Sequence, residues 1–216
     1  MKSVRGFWLP EHEEHLVPFL QKGPTFANGP TYQLHKLQAC FPHIKNFRRA
    51  IDIGAHCGLW SRPLSHCFEQ IEAFEPIPEH RECWKKNVNG PAKTQLHGIA
   101  LAESQRSLRF KVEDKSSGDT SVRNDYGTGP EQMSETLDSF GFENVDFIKI
   151  DCEGFEYFVV KGGEQLIRKN QPCMIVEQKL GKGAKYGIRD DQAISLLMTW
   201  GAKKRDVISG DYIMSW

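Results

Sequence analysis

The chain predicts an α/β fold: a doubly wound, mostly parallel sheet that finishes in an antiparallel hairpin. Three observations lead there. Short apolar runs alternate with helical stretches from residue 50 onward, two of those runs end in an acid next to a turn, and the last two extended segments are joined through Ser209-Gly210-Asp211. Strands alternating with helices at this spacing pair in parallel through crossover helices. At 216 residues, one domain with an N-terminal extension accounts for the length, and a single core suffices to bury most of the chain's apolar surface.

Residues 1–45 are expected to form an extension or lid packed on the core. Residues 1–30 show little periodicity, and His12-Glu13-Glu14-His15 matches neither H-E-x-x-H nor H-x-x-E-H, so a solvated helical face is expected there. Tyr32 to Phe41 predicts a helix that stops before Pro42.

The main domain is expected over 46–216. Ala50–Ile53 is the first strand, and Leu59 to Phe68 the helix after it, with Pro63 near its first turn, where a missing N–H matters least. Ile71–Phe74 is the second strand, and Glu79 to Val88 a helix closed by Asn89-Gly90-Pro91. Thr94 to Ala100 is the third strand. Leu108–Val112 alternates at period two, as does Ser121-Val122-Arg123, so a hairpin-loop insertion is expected at about 103–130. Val145–Ile150 is a buried fourth strand, followed by a helix from Gly154 to Ile167 interrupted at Gly162-Gly163. Cys173–Val176 is the fifth strand, and a basic glycine loop (181–187) without P-loop spacing precedes a helix over Asp190–Trp200. Ala202–Ile208 and Tyr212–Trp216 form the closing hairpin. A doubly wound sheet ending this way has seven strands with one reversed, and so resembles the Rossmann-like class I methyltransferase fold more than a dehydrogenase.

Ligands of open α/β sheets bind outside the carboxyl ends of the strands. The first strand runs into Gly54-Ala55-His56-Cys57-Gly58, and 21 positions beyond Gly54 the second stops at Glu75-Pro76. Glycine lets backbone N–H groups approach a ligand that a Cβ would exclude, and an acid about 20 residues on suits the hydroxyls of a ribose. The middle glycine of G-x-G-x-x-G is missing, and Asp52 would repel a pyrophosphate while suiting an ammonium and a sulfonium. S-adenosylmethionine fits that description. The alternative is a structural strand-turn-helix of another α/β enzyme. Where the third strand runs out, the small Ala100 leaves room for an adenine ring.

The fourth strand ends in Lys149-Ile150-Asp151-Cys152-Glu153-Gly154-Phe155-Glu156. An acceptor hydroxyl loses its proton as it attacks a sulfonium methyl, which makes Asp151 and Glu153 candidate general bases. The same two acids also suit an N-cap and a first helical turn. Glu177 closes the fifth strand and completes an acidic rim able to hold Mg²⁺ or another hard cation, or simply the substrate's hydroxyl or amine. Phe26, Tyr32 and Trp60 are aromatic residues that can stack on a sugar or on adenine, or pack.

The blocks Ile51–Gly58, Ala73–Pro76, Thr136-Leu137-Asp138, Phe147–Glu156 and Val176-Glu177 together resemble the FkbM-type family of S-adenosylmethionine-dependent methyltransferases, in the family's order and over roughly residues 50 to 180. The resemblance implies methyl transfer, usually to a hydroxyl of a sugar, glycan or natural product. By motif match, Asp52, Gly54, Ala55, His56 and Gly58 belong to the cofactor turn, Asp52, Gly54 and Gly58 line the methionine end, and Glu75, followed by Pro76, holds the ribose. His56 stands where the family more usually has asparagine, and is open to a ligand contact or to solvent. Thr136-Leu137-Asp138 reads as a helix start without a catalytic role. An NAD-dependent oxidoreductase and a catalytically silent cofactor-binding homologue are the competing functions.

Twenty-eight basic and 28 acidic residues cancel, so no global field favours nucleic acid and a small-molecule or glycan acceptor is expected. Six cysteines without a C-x-x-C pair imply neither a zinc site nor a disulfide framework. The first residues lack a signal-type apolar region, no apolar run approaches a membrane span, and no N-x-[ST] acceptor occurs, so a soluble cytoplasmic protein is expected. Composition says nothing about oligomeric state.

Overall fold

Seven strands form the central sheet: β1 (Arg49–Ile53), β2 (Gln70–Phe74), β3 (Lys93–His97), β4 (Val145–Ile150), β5 (Cys173–Glu177), β6 (Lys203–Ile208) and β7 (Asp211–Ser215). The computed structural model describes residues 1–113, 115–123 and 129–216, so Asp114 and residues 124–128 of the expected insertion lie outside it. The spatial order is β6-β7-β5-β4-β1-β2-β3; β1 to β5 run parallel and β7 is antiparallel to both its neighbours. Ser209 and Gly210, with φ of 52° and 88°, make the tight turn between β6 and β7.

Seven helices accompany the strands: α1 (Leu16–Lys22), α2 (Leu34–Cys40), α3 (Ser61–Leu64), α4 (Pro78–Asn87), α5 (Glu156–Gly162), α6 (Glu164–Asn170) and α7 (Gln192–Thr199). Side chains alternate across a strand, and two cores follow. Ala50, Ile71, Phe147 and Ile175 pack with Leu37 of α2 and Leu64 of α3 on one face. Ile51, Phe74, Ile148 and Val176 pack with Val159 of α5 and Leu197 of α7 on the other. Every residue of β4 is buried, Asp146 and Lys149 included, which is why it reads as a near-continuous apolar run.

Four expectations are corrected. The regular part of the helix after the glycine turn is only Ser61–Leu64. Helical hydrogen bonds flank it, from Arg62 N to Gly58 O and from Phe68 N to Leu64 O, while Pro63 has no N–H to give. The third strand stops at His97, and Ala100-Leu101 instead pairs in parallel with Glu131–Glu135. That segment also pairs with Ser107–Lys111, whose other edge takes Ser121–Val122, so the insertion is a four-stranded sheet. His12 to His15 is not a helical face: α1 starts at Leu16, and Glu13 is fully buried. Residues 1–30 carry a hairpin of Lys2–Val4 and Phe7–Leu9 and a short ladder of Thr25–Phe26 on Gly29–Pro30. Phe7, Leu9 and Leu20 pack on Cys57, Leu59 and Cys83. Asn87 fixes this contact, accepting from Trp8 N (2.7 Å) and donating to Cys57 O (2.7 Å).

The break at Gly162-Gly163 occurs as expected and separates α5 from α6; a Cβ on Gly162 would lie 2.0 Å from Ala102 O. Thr136 caps a short 3₁₀ helix, its side chain accepting from Ser139 N. The six cysteines are free. Among the described residues, no helix is long and apolar enough to cross a membrane.

Candidate functional site

The parallel register aligns Ile53 of β1 with Phe74 of β2 and Ile150 of β4, so Gly54, Glu75 and Asp151 emerge together at the carboxyl edge. Gly54 has φ +72°, and a Cβ there would lie 1.9 Å from Asp151 O. Only glycine allows the turn to approach the end of β4 this closely.

Two cavities open at this edge. The first, about 610 Å³ of space partly open to solvent, is largely apolar and is walled by Ile77, Ile99, Ala100, Leu101, Phe110 and Phe155, with Glu75, Pro76 and His80 on one side. The Glu75 carboxylate accepts from His56 N (2.8 Å) and Ile77 N (2.8 Å) and lies 3.2 Å from His80 Nδ1. His80 Nε2 is buried with no hydrogen-bond partner among the described residues.

The second cavity, about 660 Å³, is polar and contains Tyr32, Gln33, Trp60, Lys149, Asp151, Glu153, Glu177 and Lys179. The two share Gly54, His56, Gly118, Asp151 and Glu153. Both volumes fall in the range of small-molecule pockets.

Charge in the second cavity is densely paired. Buried Lys149 lies 3.5 Å from Asp52 and 3.7 Å from Asp151, and donates to Gly54 O at 2.8 Å. Burial works against its charge, yet the carboxylates of Asp151 and Asp52 prevail and raise its pKa. Burial likewise disfavours ionised Asp151, but Lys149 and then Lys179 hold its pKa below the ordinary carboxylate range. Glu153 is pushed upward by burial and then by Asp151, although it is paired with Lys182. Glu177, paired with Lys179, is pushed up to about 9 by burial, Asp151 and Glu153. Glu153 sits at φ +56° and His56 at φ +49°, non-glycine left-handed conformations that need support from their surroundings.

His56 receives that support from the N-terminal segment. Ser117 donates its N–H (2.6 Å) and Oγ–H (2.5 Å) to Glu13, whose other oxygen accepts from Leu16 N (2.7 Å). With its proton committed, Ser117 Oγ accepts from His56 Nε2 at 2.8 Å. Burial, followed by neighbouring His80 and Lys149, lowers the His56 pKa and keeps the ring neutral. His56 is thus half-buried and engaged, not solvent-facing.

Some residues expected at the site lie behind its walls. Asp52 is fully buried and accepts from Ser61 Oγ (2.6 Å), which itself accepts from Trp84 Nε1 (2.8 Å). Gly58 has φ +88° and backs onto Val88 and Trp84. Neither lines a cavity, and both shape the turn from behind. Gly54, His56, Glu75, Pro76, Ala100 and Asp151 line the first cavity; Ala55, Glu153 and Glu177 line the second, Glu153 being common to both. Tyr32 and Trp60 line the second cavity, whereas Phe26 lines neither and meets His66 edge-on.

Sequence reasoning missed Lys149, Lys179, His80, Glu13 and Ser117. A lysine inside the apolar run of β4 was the available signal for the first; nothing local marked the others.

Oxygens of Asp151, Glu153 and Glu177 lie within 4.8 Å of one another, close enough to share an ion. Lys149, Lys179 and Lys182 already supply the positive charge there. A divalent cation would have to displace these ammonium groups, so the donor set does not fit one and no chemistry is routed through a metal.

A seven-stranded, mostly parallel α/β sheet with a reversed strand next to the edge is the class I methyltransferase fold. The sequence model of the Methyltransferase FkbM domain matches residues 52–199, and the chain belongs to that family. Among solved structures it is similar to methyltransferase FkbM from Methylobacillus flagellatus KT, with a TM-score of 0.51 and 16% identity over 77% of this chain. The match spans 42% of that protein's length. Lower-scoring likenesses are the precorrin 8W decarboxylase of Methanobacterium thermoautotrophicum (TM-score 0.49, 13% identity, 90% of this chain and 92% of that one) and precorrin-6y C5,15-methyltransferase of Geobacter metallireducens GS-15 (0.45, 13%, 88% and 92%). No curated protein shows significant sequence similarity. The family is one of methyltransferases, not of oxidoreductases.

Proposed function

We propose that the protein is an S-adenosylmethionine-dependent O-methyltransferase acting on a hydroxyl of a sugar, glycan or natural-product-like small molecule. The observation that carries this reading is the shared wall between an apolar, nucleoside-sized cavity and a polar one rich in carboxylates. When bound, the cofactor supplies an electrophilic methyl on a sulfonium. Glu75 Oε2, which accepts only from His56 N, retains a lone pair for a ribose hydroxyl, and the unpartnered His80 Nε2 offers a further polar contact in the same cavity.

At the shared wall, Asp151 is held ionised and favours the sulfonium's positive charge. Glu153 is the better general base, because its pKa is raised toward the operating pH and proton transfer is most efficient there. As the acceptor oxygen takes the methyl, its proton passes to Glu153. The intact set of carboxylates supports turnover over a silent binding role. A cytoplasmic setting agrees with the absence of a membrane-spanning helix among the described residues.

Calorimetry with S-adenosylhomocysteine tests the cofactor assignment: wild type binds saturably, and Glu75→Ala weakens binding about 100-fold, as expected for loss of charge-assisted hydrogen bonds. No binding by the wild type at millimolar ligand would reject the reading. Mass spectrometry on a panel of sugars, glycans and nucleotides tests the acceptor class, and a nucleobase or peptide as the sole methylated product would reject that part.

A further inference from the structure

A third depression, about 890 Å³ and open to solvent, adjoins the polar cavity and shares Ser116 and Asp119 with it. Four cations line it, Lys115, Arg123, Lys182 and Lys185, against Glu113 and Asp119. The acids are already taken: Glu113 pairs with Lys111 (2.5 Å) and Asp119 with Lys182 (3.5 Å). Lys115 lies 3.7 Å from Glu14, and Lys182 also reaches Glu153. Arg123 and Lys185 are left with no carboxylate within ion-pair distance among the described residues, and Arg123 Nε is buried without a hydrogen-bond partner. Burial, with Arg123 and Lys182 nearby, pushes the Lys185 ammonium down to about 8. Glu153 and Glu156 act on Lys185 only from beyond ion-pair distance, so the repulsion between the two neighbouring cations is a cost that a bound anion removes. A planar guanidinium beside a compact ammonium is also the pairing that recognises carboxylate and phosphate oxygens.

We propose that Arg123 and Lys185 form an anion subsite at the mouth of the reaction crevice, which takes a phosphate or carboxylate carried by the hydroxylated acceptor. The subsite stands on its own geometry; only the identity of its occupant as the methyl acceptor rests on the function proposed above. Lys182 lies between the subsite and Glu153. An acceptor anchored by its anion therefore spans Lys182 to bring a hydroxyl to that carboxylate.

The test follows acylation of Lys185 in the full chain by peptide mass spectrometry, with inorganic phosphate as probe and chloride at matched ionic strength as control. Phosphate should slow Lys185 labelling about tenfold at saturation, the effect of one charge-assisted contact. Arg123→Gln should remove that protection. Glucose 6-phosphate or glucuronate should protect where glucose does not, and the stronger of the two identifies the anion. Equal labelling in phosphate and chloride, equal protection by glucose, or protection that survives Arg123→Gln would overturn the proposal. S-adenosylhomocysteine binding, measured in parallel, stays unchanged in Arg123→Gln; its absence in the wild type would sink the methyltransferase reading and leave the anion subsite standing.

Discussion

The two cavities that meet at Gly54 handle charge in opposite ways. The apolar one adds to the shared Asp151 and Glu153 one carboxylate of its own, Glu75, fixed by backbone N–H groups and by His80. The polar one packs Asp151, Glu153 and Glu177 against Lys149, Lys179 and Lys182. A carboxylate held by backbone donors keeps its geometry and remains an acceptor, which suits recognition of a neutral sugar hydroxyl. Carboxylates held by ammonium groups and by each other have their pKa values pushed in opposite directions, which suits the movement of a proton. The contrast teaches that one sheet edge can carry both tasks if its acids are given different partners.

The sharpest way to break this division is at the proposed base. Glu153→Gln should lower the methyl-transfer rate by about 10²–10⁴-fold while S-adenosylhomocysteine affinity changes little; an equal loss of both would place Glu153 in cofactor binding instead. Next, Lys149→Met leaves buried Asp52 and half-buried Asp151 without their shared cation and should cost about 3–5 kcal/mol of stability in urea melts. Part of that loss should return as pH falls, because the uncompensated carboxyls can then be protonated. A change below about 1 kcal/mol would mean that Lys149 does not hold the edge together.

The smallest effect concerns Glu177. Its carboxyl is raised in the folded chain to about 9, so folding takes up a proton between the ordinary glutamate range and that value. Stability from this group is complete at low pH and declines as pH rises toward 9. Glu177→Gln removes the dependence, and its stability profile between pH 5.5 and 8 should be flatter than the wild type's by up to about 1.4 kcal/mol per pH unit. Parallel profiles would show that Glu177 is ionised and that the polar cavity carries one more negative charge than described.

Much of the frame was legible because it rests on local pattern. The strand runs of β1, β2, β4 and β5, the stop at Asn89-Gly90-Pro91, the break at Gly162-Gly163 and the closing hairpin all follow from periodicity and from residues with restricted or permissive backbones. That Glu75, Asp151, Glu153 and Glu177 stand together was legible because strand ends in parallel sheets converge on one edge. The errors have nonlocal causes. Asp52 reads as a ligand-facing acid, yet as the penultimate residue of β1 it points to the face of Ala50 and Phe147 and meets Ser61. Ala100 was read as the run-out of β3, but its pairing with Ser134 belongs to a sheet whose other strands lie beyond it in the chain. Glu13 looked like a solvated acid because its partner, Ser117, is 104 residues away.

The sequence by itself determined most strands of the central sheet, where the glycine turn falls and which acids stand at the strand ends, since these depend on neighbours along the chain. Only the tertiary structure decided which acids are charged, which lie behind the wall, and how the N-terminal segment reaches His56 through Ser117. Those outcomes depend on burial and on partners distant in sequence, and a carboxylate's behaviour is fixed by what packs around it.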